Sequence, residues 1–242
     1  MKRIGPHLLM GLLWAGCVDA MDVSYKVGWL PDPPYLTAEA LAPQGADAQR
    51  LQAVLPGSPR LQFEQWPVVR QRRGLADGEL DIALSLTRVD DATAWLSVPV
   101  RQAQYVLVID PLQLGRYQEV SQLADAARQG MALGVLQDSR LQQETDRLLG
   151  SGILVHSLRD LDQLIRLLWL GRLNGLLLDK ALLEQEPRLK PLLRLINLPP
   201  MAVSWAFAKR RFSAQQMAQI NARLQQLASQ PQPTQEVRDA GL

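Results

Sequence analysis

Carboxylates, arginines and hydroxyls at a few places carry whatever chemistry this 242-residue chain performs. Ser85-Leu86-Thr87-Arg88 is followed by Asp90, Ser139 is followed by Arg140, and Asp179 closes the apolar run Leu176-Leu177-Leu178. Carboxylates such as Asp90 and Asp179 suit a cationic or amine-bearing partner, whereas an arginine fork, or the free N–H groups opening a helix, suits an anion. Trp29 and Tyr35 offer flat apolar faces. Aromatic residues make up only 5% of the chain, too few for a cleft lined by stacked sugar-binding rings. Each group also has a plain structural reading: Arg88 as a solvated loop residue, Ser139 as a helix cap, Asp179 as an aspartate at a strand end. No Ser-His-Asp set, phosphate loop or metal cluster stands out. Cys17 is the only cysteine, and His156 has no cysteine or histidine partner nearby, so neither a thiol nucleophile nor zinc is expected. No cofactor is expected.

The elements that must position these groups follow from periodicity. Val23, Tyr25, Val27 and Trp29 alternate with polar or small residues, which predicts a strand with one buried face. Leu61–Glu64 and Leu80–Leu84 read as two more strands, with a helix over about 68–76 between them and Asp77-Gly78 as its exit turn. This βαβ order implies a parallel sheet. The same grammar restarts at Met131–Leu136: Ser139 and Gln142 have capping-box spacing before a helix to about Leu149, and Ile153–Val155 is a short strand. Ser157 and Asp160 read as a second capping pair before a helix whose core face is Leu158, Leu161, Leu164, Ile165, Leu168 and Trp169. Two apolar runs flank Pro199-Pro200, and a last helix opens at Ser213 with Gln216 in capping position.

A 47% apolar, 21% charged composition with net charge +2 describes an ordinary globular protein without a nucleic-acid footprint. Lys2 and Arg3, an apolar stretch from Leu8 to Gly16 and the small residues before Met21 read as an export signal over residues 1–20. Ala15-Gly16-Cys17 leaves a lipidated form through Cys17 open beside the soluble one. Two α/β units with crossings near Ile109-Asp110-Pro111 and near Leu198–Ser204 suggest two lobes: 21–109 with 204–242, and 110–203. Ligands in such sheets bind beyond the carboxyl ends of strands, so two facing lobes enclose a cleft.

This order, with Ser85-Leu86-Thr87, Trp95–Pro99 and Tyr105–Asp110, resembles bacterial periplasmic solute-binding proteins of the amino-acid-binding (family 3) type, over roughly Val23 to Leu227. The resemblance implies a two-lobed type II fold with two hinge crossings and no enzymatic activity. It implies a monomer that binds a small polar ligand in the periplasm and hands it to an ABC-type transporter. It places the ligand against Trp29, Tyr35, Ser85, Thr87, Ser139, Arg140 and Asp179, with Asp179 on the ligand amino group. The family's carboxylate-binding arginine falls on Asp90, leaving Arg88 as substitute, and its turn glycine falls on Asp138. Cyclohexadienyl dehydratases are similar to these proteins, but their chemistry needs the arginine that Asp90 replaces. The departures point to an amine-bearing ligand, or to an accessory or sensory module that keeps the fold, binds no ligand and docks on a protein partner.

Overall fold

The computed structural model describes residues 23–39, 42–109, 125, 130–149, 154–189 and 194–229. The leader over 1–20 and Cys17 lie outside the described residues.

Twelve of the fourteen described strands fall in two five-stranded sheets and the ribbon between them; the other two, β2 (Thr37–Glu39) and β3 (Ala42–Gln44), form a hairpin. In the first sheet, β1 (Ser24–Trp29) lies between β4 (Arg60–Gln65) and β5 (Ile82–Ala83), parallel to both, while β14 (Ala206–Ala208) returns antiparallel to β5 and β6 (Ala94–Leu96) completes the order β4-β1-β5-β14-β6. Helix α1 (Ala46–Val54) connects β3 to β4, and α2 (Val68–Asp77) connects β4 to β5. Gly78 ends α2 at φ 86, a left-handed position that glycine adopts without strain.

The second sheet has the order β10-β9-β11-β8-β12, with β9 (Ala132–Leu136) parallel to β10 (Leu154–Leu158) and β11 (Gly175–Asp179). Strands β8 (Tyr105–Ile109) and β12 (Arg194–Asn197) run antiparallel on the other side. Helices α3 (Arg140–Leu149), α4 (Leu161–Trp169) and α5 (Lys180–Gln185) complete its βα units, and α6 (Ala214–Ser229) packs back toward α1. All five residues of β8 and of β11 are buried, as expected of strands covered on both faces.

The two sheets are joined by the antiparallel ribbon β7 (Arg101–Ala103) with β13 (Met201–Val203). The chain enters the second sheet at Tyr105, ahead of the crossing expected near Ile109-Asp110-Pro111. Ile109 already pairs with Gly175 and Arg194, and Asp110 and Pro111 lie outside the described residues.

Local capping matches the sequence at two of three places. Ser139 Oγ accepts the Gln142 N–H at 3.0 Å, and Ser213 and Gln216 exchange both capping bonds. At α4 the cap is Asp160 alone, which accepts the Asp162 N–H at 2.9 Å. Ser157 instead lies within β10, because the strand runs on to Leu158, and its hydroxyl receives Gln142 Nε2 at 3.0 Å. On α4, Leu164, Ile165 and Leu168 are buried as expected, but Trp169 is 40% exposed. No described helix is long and apolar enough to cross a membrane.

Candidate ligand-binding cleft

The carboxyl ends of strands from both sheets face one another across a cavity of about 570 Å³. From the first sheet come Leu30–Pro33 after β1 and Gln65 at the end of β4; from the second come 136–141 after β9, Arg159 and Asp160 after β10, and Asp179 at the end of β11. This is the placement that α/β topology predicts for a ligand. The carboxylates of Asp32, Asp138, Asp160 and Asp179 contribute to the lining against the two cations Arg140 and Arg159.

Asp179 is the expected residue that the cavity holds most directly. One carboxylate oxygen caps α5 by accepting the Ala181 N–H at 2.8 Å; the other, Oδ2, is buried and has no hydrogen-bond partner among the described residues. Burial pushes the Asp179 carboxyl up to about 6, a shift partly opposed by the Ala181 N–H and by Arg101. Tyr105, also on the lining, has its hydroxyl held well above the usual phenol range by burial and then by Asp32, so it stays a neutral donor.

Behind this wall lies a charge cluster that spacing alone does not reveal. Arg101, on the ribbon, donates to Asp32 Oδ2 at 2.7 Å and to Asp47 Oδ2 at 3.3 Å, and its guanidinium lies 3.5 Å from the centre of the Tyr35 ring. Arg50 closes the cluster on Asp47 at 3.1 Å. Burial raises the Asp47 carboxyl while Arg101 and Arg140 pull it back down. Tyr35 therefore stacks on a protein cation, and its hydroxyl is raised, first by burial and then by Asp179. Trp29 is core, 4% exposed, at the end of β1.

The Ser85–Arg88 loop faces the second lobe but not the open cavity. Gln143 of α3 donates from Nε2 to the Ser85 carbonyl at 2.8 Å, and its Oε1 accepts the Thr87 N–H at 3.3 Å and the Thr87 hydroxyl at 3.5 Å. Arg88, 67% exposed at its side chain, meets Glu144 at 3.4 Å. Arg140, 6% exposed, crosses from the second lobe: Nε reaches Asp32 Oδ2 at 3.2 Å, Nη1 the Leu86 carbonyl at 3.3 Å, and Nη2 the Leu84 carbonyl. From below, buried Gln71 accepts the Ser85 N–H at 3.4 Å and donates to the Trp66 carbonyl at 2.7 Å.

Asp90 stands apart. It is exposed, and its Oδ1 accepts the Ala92 N–H at 2.9 Å in a local turn, so it does not reach the cavity. Asp138, where the resemblance places glycine, has φ 58, the left-handed conformation that glycine favours and aspartate tolerates. Of the expected site residues, Ser139, Arg140 and Asp179 line the cavity, Ser85, Thr87 and Arg88 meet α3, Tyr35 stacks on Arg101, and Trp29 and Asp90 do neither. Arg101, Tyr105 and Gln143 carry no local sequence signal of a place in the cleft; their partners lie far away along the chain. Among the described residues no group of His, Cys, Asp and Glu could hold a metal ion.

No protein-family model and no curated protein sequence matches the chain. Solved structures do. An ancestral arginine-binding protein bound to arginine superposes with a TM-score of 0.64 at 17% identity, over 85% of this chain and 92% of that one. The GluR0 ligand-binding core in complex with L-glutamate gives 0.67 at 18% identity, over 85% and 92%. An amino-acid ABC transporter substrate-binding protein from Streptococcus pneumoniae bound to L-arginine gives 0.63 at 18% identity, over 85% and 89%. With its two mixed sheets joined by a two-stranded ribbon, the chain has the two-lobed type II fold of amino-acid-binding periplasmic proteins.

Proposed function

We propose that the chain is a non-enzymatic, monomeric solute-binding receptor, exported to the periplasm by its leader, that takes a small polar amine-bearing ligand between its lobes and delivers it to an ABC-type transporter. The lobes divide at the ribbon of β7 and β13, about which they open and close. The observation that carries this reading is Asp179 Oδ2, a buried acceptor on the cavity wall with no hydrogen-bond partner among the described residues. A buried carboxylate oxygen of this kind is costly unless a donor reaches it, and an ammonium group is the donor that also removes the charge penalty. Asp138 and Asp160 add carboxylates to the same lining. The amino-acid complexes among the similar structures are consistent with a ligand of this size.

A thermal-shift screen of amino acids, polyamines and other small amines tests it: an authentic ligand raises Tm in proportion to the logarithm of its concentration. Asp179→Asn must abolish that shift. A full screen without a hit, or a hit that Asp179→Asn leaves untouched, refutes the amine subsite.

One observation favours the second reading, a ligand-less accessory or sensory module docking on a protein partner. Gln143 already occupies the N–H and hydroxyl of Thr87 and the carbonyl of Ser85, two residues that the resemblance places against a ligand. Under that reading every small molecule in the screen fails while a partner protein protects the cleft.

A further inference from the structure

We propose that Asp32 and the carbonyls of Leu84 and Leu86 form a guanidinium subsite in the first lobe, which Arg140 fills from the second lobe as a tethered ligand. All three guanidinium nitrogens of Arg140 are engaged: Nε on Asp32 Oδ2 at 3.2 Å, Nη1 on Leu86 O at 3.3 Å, and Nη2 on Leu84 O. The acceptors converge from separate directions on one planar fork, a pattern that a point-like ammonium cannot satisfy simultaneously. Leu84 and Leu86 are 1% and 0% exposed, so without a donor their carbonyls have little access to water. The same Asp32 oxygen also accepts Arg101 at 2.7 Å.

The same helix face supplies the rest of the contact. Arg140, Gln143 and Glu144 are spaced as neighbours on α3 and reach Asp32, Ser85, Leu86, Thr87 and Arg88. The lobes are thus bridged by the protein's own side chains, and a free guanidinium compound competes with a group whose effective concentration is about millimolar or higher. None of these contacts involves Asp179, so this inference stands or falls apart from the amine subsite.

The test is Arg140→Ala in the full chain, with ethylguanidinium chloride as probe and ethylammonium chloride at equal ionic strength as control. The Tm of R140A rises with ethylguanidinium concentration, its calorimetric affinity exceeds that of the wild type by at least about tenfold, and ethylammonium has no comparable effect. Equal responses in both proteins, or none in R140A, overturn the proposal. Should R140A fail to fold, Arg140→Lys keeps the stem and charge. Small-angle scattering must then show the ligand-free wild type in the closed shape and R140K in a wider one; identical profiles overturn the proposal.

Discussion

Replacing Asp179 by Asn removes a charge while keeping the oxygen that caps α5 through the Ala181 N–H. The folded-state carboxyl is raised from 3.8 to about 6 by burial, so between those values the folded chain binds a proton that the unfolded chain releases, and stability falls as pH rises through this window. A shift of this size corresponds to at most about 3 kcal/mol once the group is fully ionised, at 1.36 kcal/mol per unit. Asparagine is neutral throughout. Its stability relative to aspartate should therefore grow by about 2 kcal/mol between about pH 4 and pH 8, whatever constant offset the new amide introduces. Urea unfolding of both proteins at the two pH values measures this directly, with m-values checked for equality. A difference that is flat with pH, or that favours aspartate more strongly at pH 8, refutes the claim that Asp179 is a destabilised acceptor awaiting a cation. A gain in stability together with loss of ligand response would mark a residue retained for binding.

The affinity of any amine ligand should be level above about pH 6 and fall by roughly tenfold per unit below it, as the Asp179 carboxylate takes up a proton; calorimetric titration across that range checks this. Arg101→Met removes a buried guanidinium shared by Asp32 and Asp47, leaving Arg140 on the first and Arg50 on the second, and should cost about 1–3 kcal/mol in urea unfolding; an unchanged midpoint would mean that the buried cluster is not held by this arginine. Asp138→Gly should gain a few tenths to about 1 kcal/mol because glycine adopts φ 58 more readily than aspartate, and Asp138→Val should lose at least about 1 kcal/mol; the reverse order would remove the left-handed backbone from the account of this turn. Asp90→Ala should cost about 1 kcal/mol or less through its turn and leave ligand affinity untouched, so a lost ligand response would return Asp90 to the site.

Periodicity and capping chemistry made the two βα units legible: alternation at Tyr25, Val27 and Trp29, the exit at Gly78, and the capping pairs at Ser139 and Ser213 are local signals, each decided within a few residues. What local signals do not contain is which sheet a uniformly apolar strand joins. Tyr105–Ile109 is buried at every position, so no alternation orients it, and only pairing with Gly175–Asp179 assigns it to the second sheet. The same limit applies to the site. Arg101 lies 69 and 54 positions from Asp32 and Asp47, and nothing near it in sequence announces either partner. Ser157 had the right spacing for a cap, but a longer β10 claimed it. Asp90 occupied a ligand position by counting, yet a short-range turn competes for its carboxylate and wins because the Ala92 N–H is two residues away. Asp179 was readable because a strand end followed directly by a helix start fixes both its depth and its direction.

Asp32 decides how the two readings differ physically, since one of its carboxylate oxygens receives both Arg101 from the ribbon and Arg140 from the opposite lobe. Opening the cleft removes Arg140 but not Arg101, so Asp32 keeps a partner in either state and the cost of opening falls on the Leu84 and Leu86 carbonyls and on the Gln143 contacts. If those contacts favour closure by about 1.4–3 kcal/mol net, the ligand-free chain is closed about ten- to a hundredfold more often than open. A ligand that binds only the closed form then changes the shape of the population very little, which suits a scaffold or sensor whose partner reads a standing conformation. If instead they nearly balance the water lost from the same groups, ligand binding drives closure and the chain behaves as a transport receptor. Residues 136–141 both line the cavity and lead into α3, so an occupant there can press on Arg140 and shift this balance. Scattering profiles recorded through a ligand titration distinguish the cases: a compaction that tracks occupancy belongs to the receptor, and an already compact profile that occupancy leaves unchanged belongs to the scaffold or sensor.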